Sequence, residues 1–244
     1  MNFDLFLSVV IPAYNEEHRL QRTLPLLKDY LNRQDYSWEV VVVDDGSVDR
    51  TGEISGRFFN PGQVRVVRNE RNRGKGFSVR RGVLEARGKF VLISDADFSS
   101  PIEEIEKLFL PLREGWDIAI GSRSLPNSNV VVHQAWYREG MGRCFNRMVQ
   151  MLVLDGFIDT QCGFKCFFRE KAAPIFSVMR VDGFSFDVEF LYLAKKRGLQ
   201  VREVPVEWRH VEASRVRIWV DPINMFLDLL RIRWNDGLGR YKNE

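Results

Sequence analysis

The chain has 244 residues, 45% of them hydrophobic, 12% aromatic and 28% charged, a balance that excludes disorder and supplies enough apolar mass for one large α/β unit. No window approaches 18 consecutive apolar residues, and the opening segment has no basic leader before it reaches Asn15, Glu16 and Glu17, so neither a membrane span nor a secretory signal is expected. The net charge of +3 is concentrated at one end, because residues 195–244 hold 11 Lys/Arg against 7 Asp/Glu. An ordinary solvated surface accounts for that excess; beyond it, an anionic membrane surface fits better than nucleic acid, which is not expected as a partner.

In chain order, Leu7–Ile11, Val40–Val43, Val64–Val67, Phe90–Ile93 and Ile118–Ile120 are short β-branched runs, apolar on both faces as buried parallel strands are. Between them Glu17–Leu31, Thr51–Phe59, Gly76–Ala86 and Ile102–Leu112 carry helical patterning, with Asp49 and Ser99 as cap-like residues and Pro101 at an early position. Strand and helix alternating in this way predict a doubly wound, mostly parallel α/β sheet flanked by helices. After Gly121 the pattern loosens into a helix near Tyr137–Leu152, a turn at Asp155-Gly156, a strand over Gly163–Phe168, a helix over Phe186–Lys196 and a strand over Val201–Trp208. A last helix, Pro222–Trp234, spaces Ile223, Phe226, Leu227, Leu230 and Trp234 at helical intervals among Arg231 and Arg233. No repeat or low-complexity linker interrupts the chain, so one domain is expected over 1–244, with a ligand-binding half to 125 and a more variable half over 126–244.

Ligands of doubly wound sheets sit beyond the carboxyl ends of the strands. There the chain places Pro12-Ala13-Tyr14-Asn15-Glu16, Asp44-Asp45-Gly46-Ser47, Ser94-Asp95-Ala96-Asp97 and Gly121-Ser122-Arg123. Asp95 and Asp97, flanking the small Ala96, have the form of a hard-cation site for Mg²⁺ or Mn²⁺ completed by substrate phosphate; taken alone, the same spacing also describes an aspartate-rich turn. Asp45 is equally a turn residue or a holder of ribose or base. Arg65–Lys89 carries nine Lys/Arg around Asn72-Arg73-Gly74-Lys75-Gly76, where glycines beside Lys75 suit close approach of phosphate. Neither GxxxxGK[ST] nor GxGxxG occurs, which removes support for P-loop hydrolysis and nicotinamide binding. Cys144, Cys162 and Cys166 lack zinc-ligand spacing and suit a reducing compartment, and Cys162 and Cys166 read as buried small apolar residues. His18 and His210 read as surface or satisfied histidines, and His133 falls in a variable loop.

Taken together and in this order, IPAYNEE, VVDDGS, NRGKG, SDADFSSP and GSR resemble glycosyltransferase family 2, whose nucleotide-sugar domain has the GT-A fold. Asp159-Thr160-Gln161-Cys162-Gly163-Phe164-Lys165 and Phe186-Asp187-Val188-Glu189 point to its polyprenyl-phosphate branch. The resemblance implies an inverting, metal-dependent transfer of a hexose, glucose, from UDP-glucose to a polyprenyl (dolichyl-type) phosphate, with the protein peripheral at the cytoplasmic membrane face and a homodimer possible. It further implies that Pro12, Tyr14 and Glu16 frame uracil and ribose and that Asp45 holds base or ribose. Asp95, Ala96 and Asp97 would meet ribose and metal, Arg123 a donor or acceptor phosphate, and Arg138 the acceptor phosphate. Phe98 stands where mannose-transferring relatives often carry glutamine, which puts one metal ligand in doubt.

An acceptor that is already a phosphate anion needs positive charge and alignment rather than a general base. Asp187 is assigned an acceptor-side role; Glu189, two residues on, leaves its helix on another face. Two rival readings remain at this point. A family transferase acting on a sugar hydroxyl would need a carboxylate base such as Asp159 or Asp187, and a non-catalytic nucleotide-sugar-binding protein would have kept only the fold. Transfer of mannose from GDP-mannose is a variant of the first reading. The Pro222–Trp234 helix is read either as packing on the domain or as lying at a membrane interface.

Overall fold

The structure, a computed structural model, describes residues 5–132, 136–209 and 221–242, apart from the side chains of 136–139 and 143. The β-branched runs supply five strands of a seven-stranded sheet. In chain order its strands are β1 (Leu7–Ala13), β2 (Trp38–Asp44), β3 (Val64–Arg68), β4 (Phe90–Ile93), β5 (Ile118–Ser122), β7 (Lys165–Phe168) and β8 (Val201–Pro205). They are arranged β3-β2-β1-β4-β7-β5-β8. All neighbours pair in parallel except β7, which runs antiparallel between β4 and β5, with Leu92 opposite Cys166 and Ala119 opposite Cys166 on the other side. The inserted strand comes from the second half of the chain and divides the parallel series at the place where Asp95 and Arg123 emerge from β4 and β5.

Helices α1 (Glu17–Leu31), α2 (Thr51–Arg57), α3 (Lys75–Glu85), α4 (Ile105–Arg113), α5 (Trp136–Leu152), α6 (Arg169–Val178), α7 (Phe186–Lys196) and α8 (Asp221–Gly237) flank the sheet. Alternate residues of one strand serve opposite layers. Val9 and Ile11 pack with Leu20, Leu24 and Leu27 of α1, whereas Val10 packs with Val79 and Val83 of α3 and, through the same layer, with Phe176 and Phe190. The core is therefore two apolar layers separated by the sheet.

Several expectations change. Val64–Val67 is an edge strand and not buried on both faces, since Val66 is 37% exposed. The strand expected over Val201–Trp208 is two: β8 in the main sheet and β9 (Glu207–Arg209), which pairs in parallel with β6 (Asn129–Val132). Val206 separates them as a buried residue whose N–H donates to Ser122 O. β6 escapes sequence reading because its four residues are largely exposed, and α6 because Pro174 interrupts its pattern. Ile102–Leu112 begins as one 3₁₀ turn, Ile102–Glu104, before α4. Ser99 does not cap it; its N–H and hydroxyl both turn back to Asp97. His133 and His210 lie outside the described residues.

α3 crosses the sheet at Gly82, where an added β-carbon would meet Val10 Cγ1 at 2.5 Å and Val43 Cγ2 at 2.9 Å. Both valines are fully buried and stiff at χ1. Gly82→Ala is expected to destabilise the fold by about 1–3 kcal/mol through overpacking, despite alanine's higher helix propensity. Chemical denaturation measures it; unchanged stability would mean that α3 shifts freely on the sheet.

Candidate active site

The loops after β1 and β2 are stitched to each other before they present anything to a ligand. Asn15 adopts φ 54°, and its N–H donates to Ser47 Oγ while its Oδ1 accepts from Val48 N–H. Glu16 N–H donates to Thr51 Oγ1 at 2.8 Å and Glu17 N–H to Asp49 Oδ2 at 3.2 Å. Pro12 closes β1 opposite Val43. Tyr14 is 37% exposed at the rim, whereas Glu16 is buried against Arg19 at 2.9 Å.

Asp45 is buried, and its carboxylate serves the third loop. Oδ1 accepts from Asn69 Nδ2 at 2.6 Å and Arg73 N–H at 2.9 Å, and Oδ2 accepts from Gly74 N–H at 2.8 Å. Gly74 has φ 102°, and a β-carbon there would strike Asp182 O at 2.4 Å. The clasp presses the basic loop onto the 181–186 segment and aims Lys75, the first residue of α3, at β4.

Lys75 Nζ reaches Asp95 Oδ1 at 2.6 Å. Burial alone would lower the Lys75 ammonium's pKa, but the negative charges of Asp95, Asp187 and Asp97 outweigh it and hold it above the ordinary lysine value. Asp95 sits directly on the Gly163 turn: a β-carbon on Gly163 would lie 2.3 Å from its Oδ2, so the carboxylate rests on bare main chain. Ala96 is buried, and its carbonyl accepts from Thr23 Oγ1 of α1 at 3.0 Å. Asp97 Oδ1 accepts from both Ser99 N–H and Ser99 Oγ at 2.9 Å, and Phe98 is held at φ 45°, an uncommon conformation for a bulky residue. Ser94, Asp95, Ser99, Ser100, Gly163, Phe164 and Trp208 line a small concavity here.

The Gly163 turn has its own support. Lys165, fully buried in β7, donates to Cys162 O and pairs with Asp187 Oδ1 at 2.6 Å. Burial pushes the Asp187 carboxyl up, against the opposing pull of Lys165 and Lys75. At the same turn Asp159 takes a two-pronged ion pair from Arg123, Nε at 2.7 Å and Nη2 at 2.8 Å, and also accepts Arg123 N–H. Burial opposes ionisation of Asp159, but Arg123 overrides it and holds the carboxyl at about 2. The Arg123 guanidinium also lies 5.6 Å from the Trp208 ring centroid.

The structure thus gathers Asp45, Lys75, Asp95, Ala96, Asp97, Arg123 and Asp187 around one sheet end, with Pro12, Tyr14 and Glu16 at the β1 rim. Arg138 belongs to the first turn of α5; its side chain lies outside the described residues. Glu189 is a structural anchor, accepting Arg180 N–H, Val181 N–H and the Tyr241 hydroxyl. Sequence reasoning missed Lys165 and the seat at Gly163. The available signal was a lysine in the apolar run Phe164–Phe168, a position that requires a buried counter-charge.

Two half-exposed carboxylates with an all-oxygen donor set suit Mg²⁺ or Mn²⁺, which takes one or two protein carboxylates and leaves the rest of its sphere to water and phosphate. Among the described residues no group of three His, Cys, Asp or Glu could hold an ion unaided. The residues therefore fit an ion that binds together with a phosphate-bearing ligand.

The mixed sheet, with acidic strand ends and a basic loop, is of the GT-A type. The chain belongs to glycosyl transferase family 2, whose family model matches residues 8–176, and it is a glycosyltransferase. It is 36% identical over 252 residues to the dolichyl-phosphate beta-glucosyltransferase of Dictyostelium discoideum, covering 98% of this chain and 77% of that protein. The Mus musculus protein of the same name is 36% identical over 252 residues, covering 97% and 78%. Among solved structures, mannosyl-3-phosphoglycerate synthase from Rubrobacter xylanophilus shares the fold with TM-score 0.72 at 21% identity, covering 98% of this chain and 76% of that one. Glucosyl-3-phosphoglycerate synthase from Mycobacterium tuberculosis, in complex with Mn²⁺, UDP-glucose and phosphoglyceric acid, does so with TM-score 0.69 at 20% identity, covering 97% and 80%.

Two outcomes test this geometry. Gly163→Ala is expected to weaken Mn²⁺ binding in the presence of UDP about tenfold or more by displacing Asp95, with circular dichroism unchanged; an unaltered titration would show that Asp95 needs no such seat. Asp159 is ionised well below its ordinary 3.8, so its stabilising contribution is complete above about pH 4 and is lost as the pH falls toward 2, about 2 kcal/mol in all. Asp159→Asn removes this contribution, and its stability against acid, measured by denaturant titration between pH 5 and 2, should fall less steeply than that of the wild type.

Proposed function

We propose that the protein transfers glucose from UDP-glucose to a polyprenyl phosphate of the dolichyl type, with inversion at the anomeric carbon. Supporting the sugar and the acceptor are the names of relatives that match nearly the whole chain. One observation carries the choice of a phosphate over a hydroxyl acceptor: both carboxylates available as a general base are already committed to cations. Asp159 is paired with Arg123, and Asp187 is buried against Lys165. A hydroxyl would have to lose its proton to such a base, whereas a phosphate oxygen attacks as it stands.

On this reading Pro12, Tyr14 and Glu16 border the uracil and ribose, and Asp45 acts through the loop it clasps. Asp95 and Asp97 would hold Mg²⁺ or Mn²⁺, which supplies positive charge to the departing diphosphate. Lys75 is aimed at that diphosphate from the start of α3. Arg123, oriented by Asp159, faces a phosphate at the mouth between β5 and β9, and Arg138 meets the acceptor phosphate. Asp187 pairs with Lys165 beneath the Gly163 turn and so acts on the acceptor side through that turn. Incubating the protein with a short polyprenyl phosphate, Mn²⁺ and either UDP-glucose or GDP-mannose should yield a hexosyl phospholipid from UDP-glucose; product from GDP-mannose alone, or transfer only to free sugars, would overturn the assignment. Asp97→Ala is expected to abolish Mn²⁺-dependent UDP-glucose binding in calorimetry, and retained binding would make the Asp95–Asp97 segment a turn only.

We further infer that α8 brings the enzyme to its lipid acceptor at the cytoplasmic face of the membrane. Leu229 and Ile232 of α8 are buried in the core, while Ile223, Phe226, Leu227, Leu230 and Trp234 form a stripe facing outward, Trp234 at 68% exposure. No helix among the described residues is long and apolar enough to cross a membrane. An outward apolar stripe on a helix in a basic region suits reversible interfacial binding, with about 1 kcal/mol from each basic residue near an anionic surface. Sedimentation with anionic liposomes should fall with rising salt and fall strongly for Leu230→Ser/Trp234→Ser; equal sedimentation of variant and wild type would assign membrane contact to another surface.

A further inference from the structure

Asp95 and Lys75 meet at the mouth of the site as an anion on a short side chain and a cation on a long one. The carboxylate is seated on bare main chain, its Oδ2 occupying the space that a β-carbon on Gly163 would need, at 2.3 Å. The following peptide is tied twice, Phe98 N–H donating to Asp95 O at 3.1 Å and Thr23 Oγ1 to Ala96 O at 3.0 Å. Lys75 differs in kind. Its ammonium is carried on four methylenes, Asp95 is its ion-pair partner at 2.6 Å, the Phe186 ring centroid lies 5.9 Å away, and Asp187 and Asp97 add negative charge nearby. Its backbone, in contrast, is held from both sides, by the Asp45 clasp on Gly74 N–H and by Gly76, whose β-carbon would strike Val181 O at 2.5 Å. The anchor of the lysine is rigid and only its head can relocate.

We propose that Lys75 couples divalent-ion binding to donor binding: it neutralises Asp95 in the free protein and moves to the donor's diphosphate when the nucleotide sugar enters, releasing Asp95 to the ion. The proposal rests on the reading that this site takes a sugar nucleotide together with a divalent ion. The physical reason is charge. One carboxylate oxygen pair cannot serve an ammonium group at 2.6 Å and a divalent cation together without strong like-charge repulsion between the two cations. The ion alone must therefore displace a lysine that keeps only the charges of Asp187 and Asp97 near it, whereas the ion with the donor displaces one that gains a diphosphate. Binding of either ligand strengthens binding of the other by the same factor.

The test uses the intact protein, Mn²⁺ alone followed by electron paramagnetic resonance of the free ion, and UDP followed by calorimetry with and without saturating Mn²⁺. Lys75→Met should bind Mn²⁺ alone about threefold or more tightly than wild type, because the competing ammonium is gone. The same variant should bind UDP about tenfold more weakly at saturating Mn²⁺, having lost a charged phosphate contact, and the factor by which UDP strengthens Mn²⁺ binding should shrink. Lys75→Gln is expected to behave as Lys75→Met does, and Lys75→Arg to retain most of the coupling. Unchanged or weaker binding of Mn²⁺ alone by both neutral variants, with wild-type circular dichroism, overturns the coupling and leaves the donor reading intact. Absence of Mn²⁺-dependent UDP binding in the wild type overturns both.

Discussion

The contact on which the candidate site depends is that between the Asp95 carboxylate and the bare main chain of Gly163. Asp95 ends a central parallel strand, and Gly163 precedes the strand that runs antiparallel beside it. The two therefore approach head to tail, and only a residue without a side chain lets them touch. Lys165 keeps the turn in place from below by bonding Cys162 O and Asp187. A buried ion pair of this kind is poor evidence for stability, since desolvating two charges consumes most of what their attraction returns. Its value is positional: it fixes the height of the turn against the sheet and, through the turn, the place of the acidic strand end.

Buried charge is distributed unequally between the two ends of the sheet. At the end where strands begin, Glu39 is fully enclosed by Ser8, Arg87 and Arg65, and although burial opposes ionisation these donors hold its carboxyl below the usual range. That cluster ties β1, β2 and β3 together. At the end where strands finish, Asp45 binds three donors of one loop, but Asp95 and Asp97 each keep part of their carboxylate toward solvent. One end is closed electrostatically and the other is open. The open end is where the geometry of α/β sheets puts ligands.

α8 shows the same separation of roles on a single helix. Its core-facing side is narrow, Leu229 and Ile232 with the half-buried Met225, and it is tied down by polar contacts such as the Tyr192 hydroxyl to Asp236 and Arg233 to the Tyr192 hydroxyl. The larger apolar surface points away from the domain. A helix whose sole task was to complete the core would present these residues in the opposite order.

By itself the sequence determined most of the parallel core, because strand and helix periodicities are local properties of five β-branched runs and the amphipathic segments between them. Glu17–Leu31 and Phe90–Ile93 are found with the expected bounds. It also marked the acidic and basic strand-end residues, since the carboxyl end of a strand is defined by chain direction. Tertiary structure alone decided the antiparallel insertion of β7, the division of Val201–Trp208 between two sheets and the partners of the charged groups. Strand order and register depend on contacts between segments distant in the chain, such as Lys165 with Asp187 or Lys75 with Asp95, and no local pattern encodes which buried cation will meet which carboxylate. The outward direction of the α8 stripe was undetermined for the same reason: helical spacing places Ile223, Leu227, Leu230 and Trp234 on one face, but only packing against the rest of the domain decides whether that face looks inward or out.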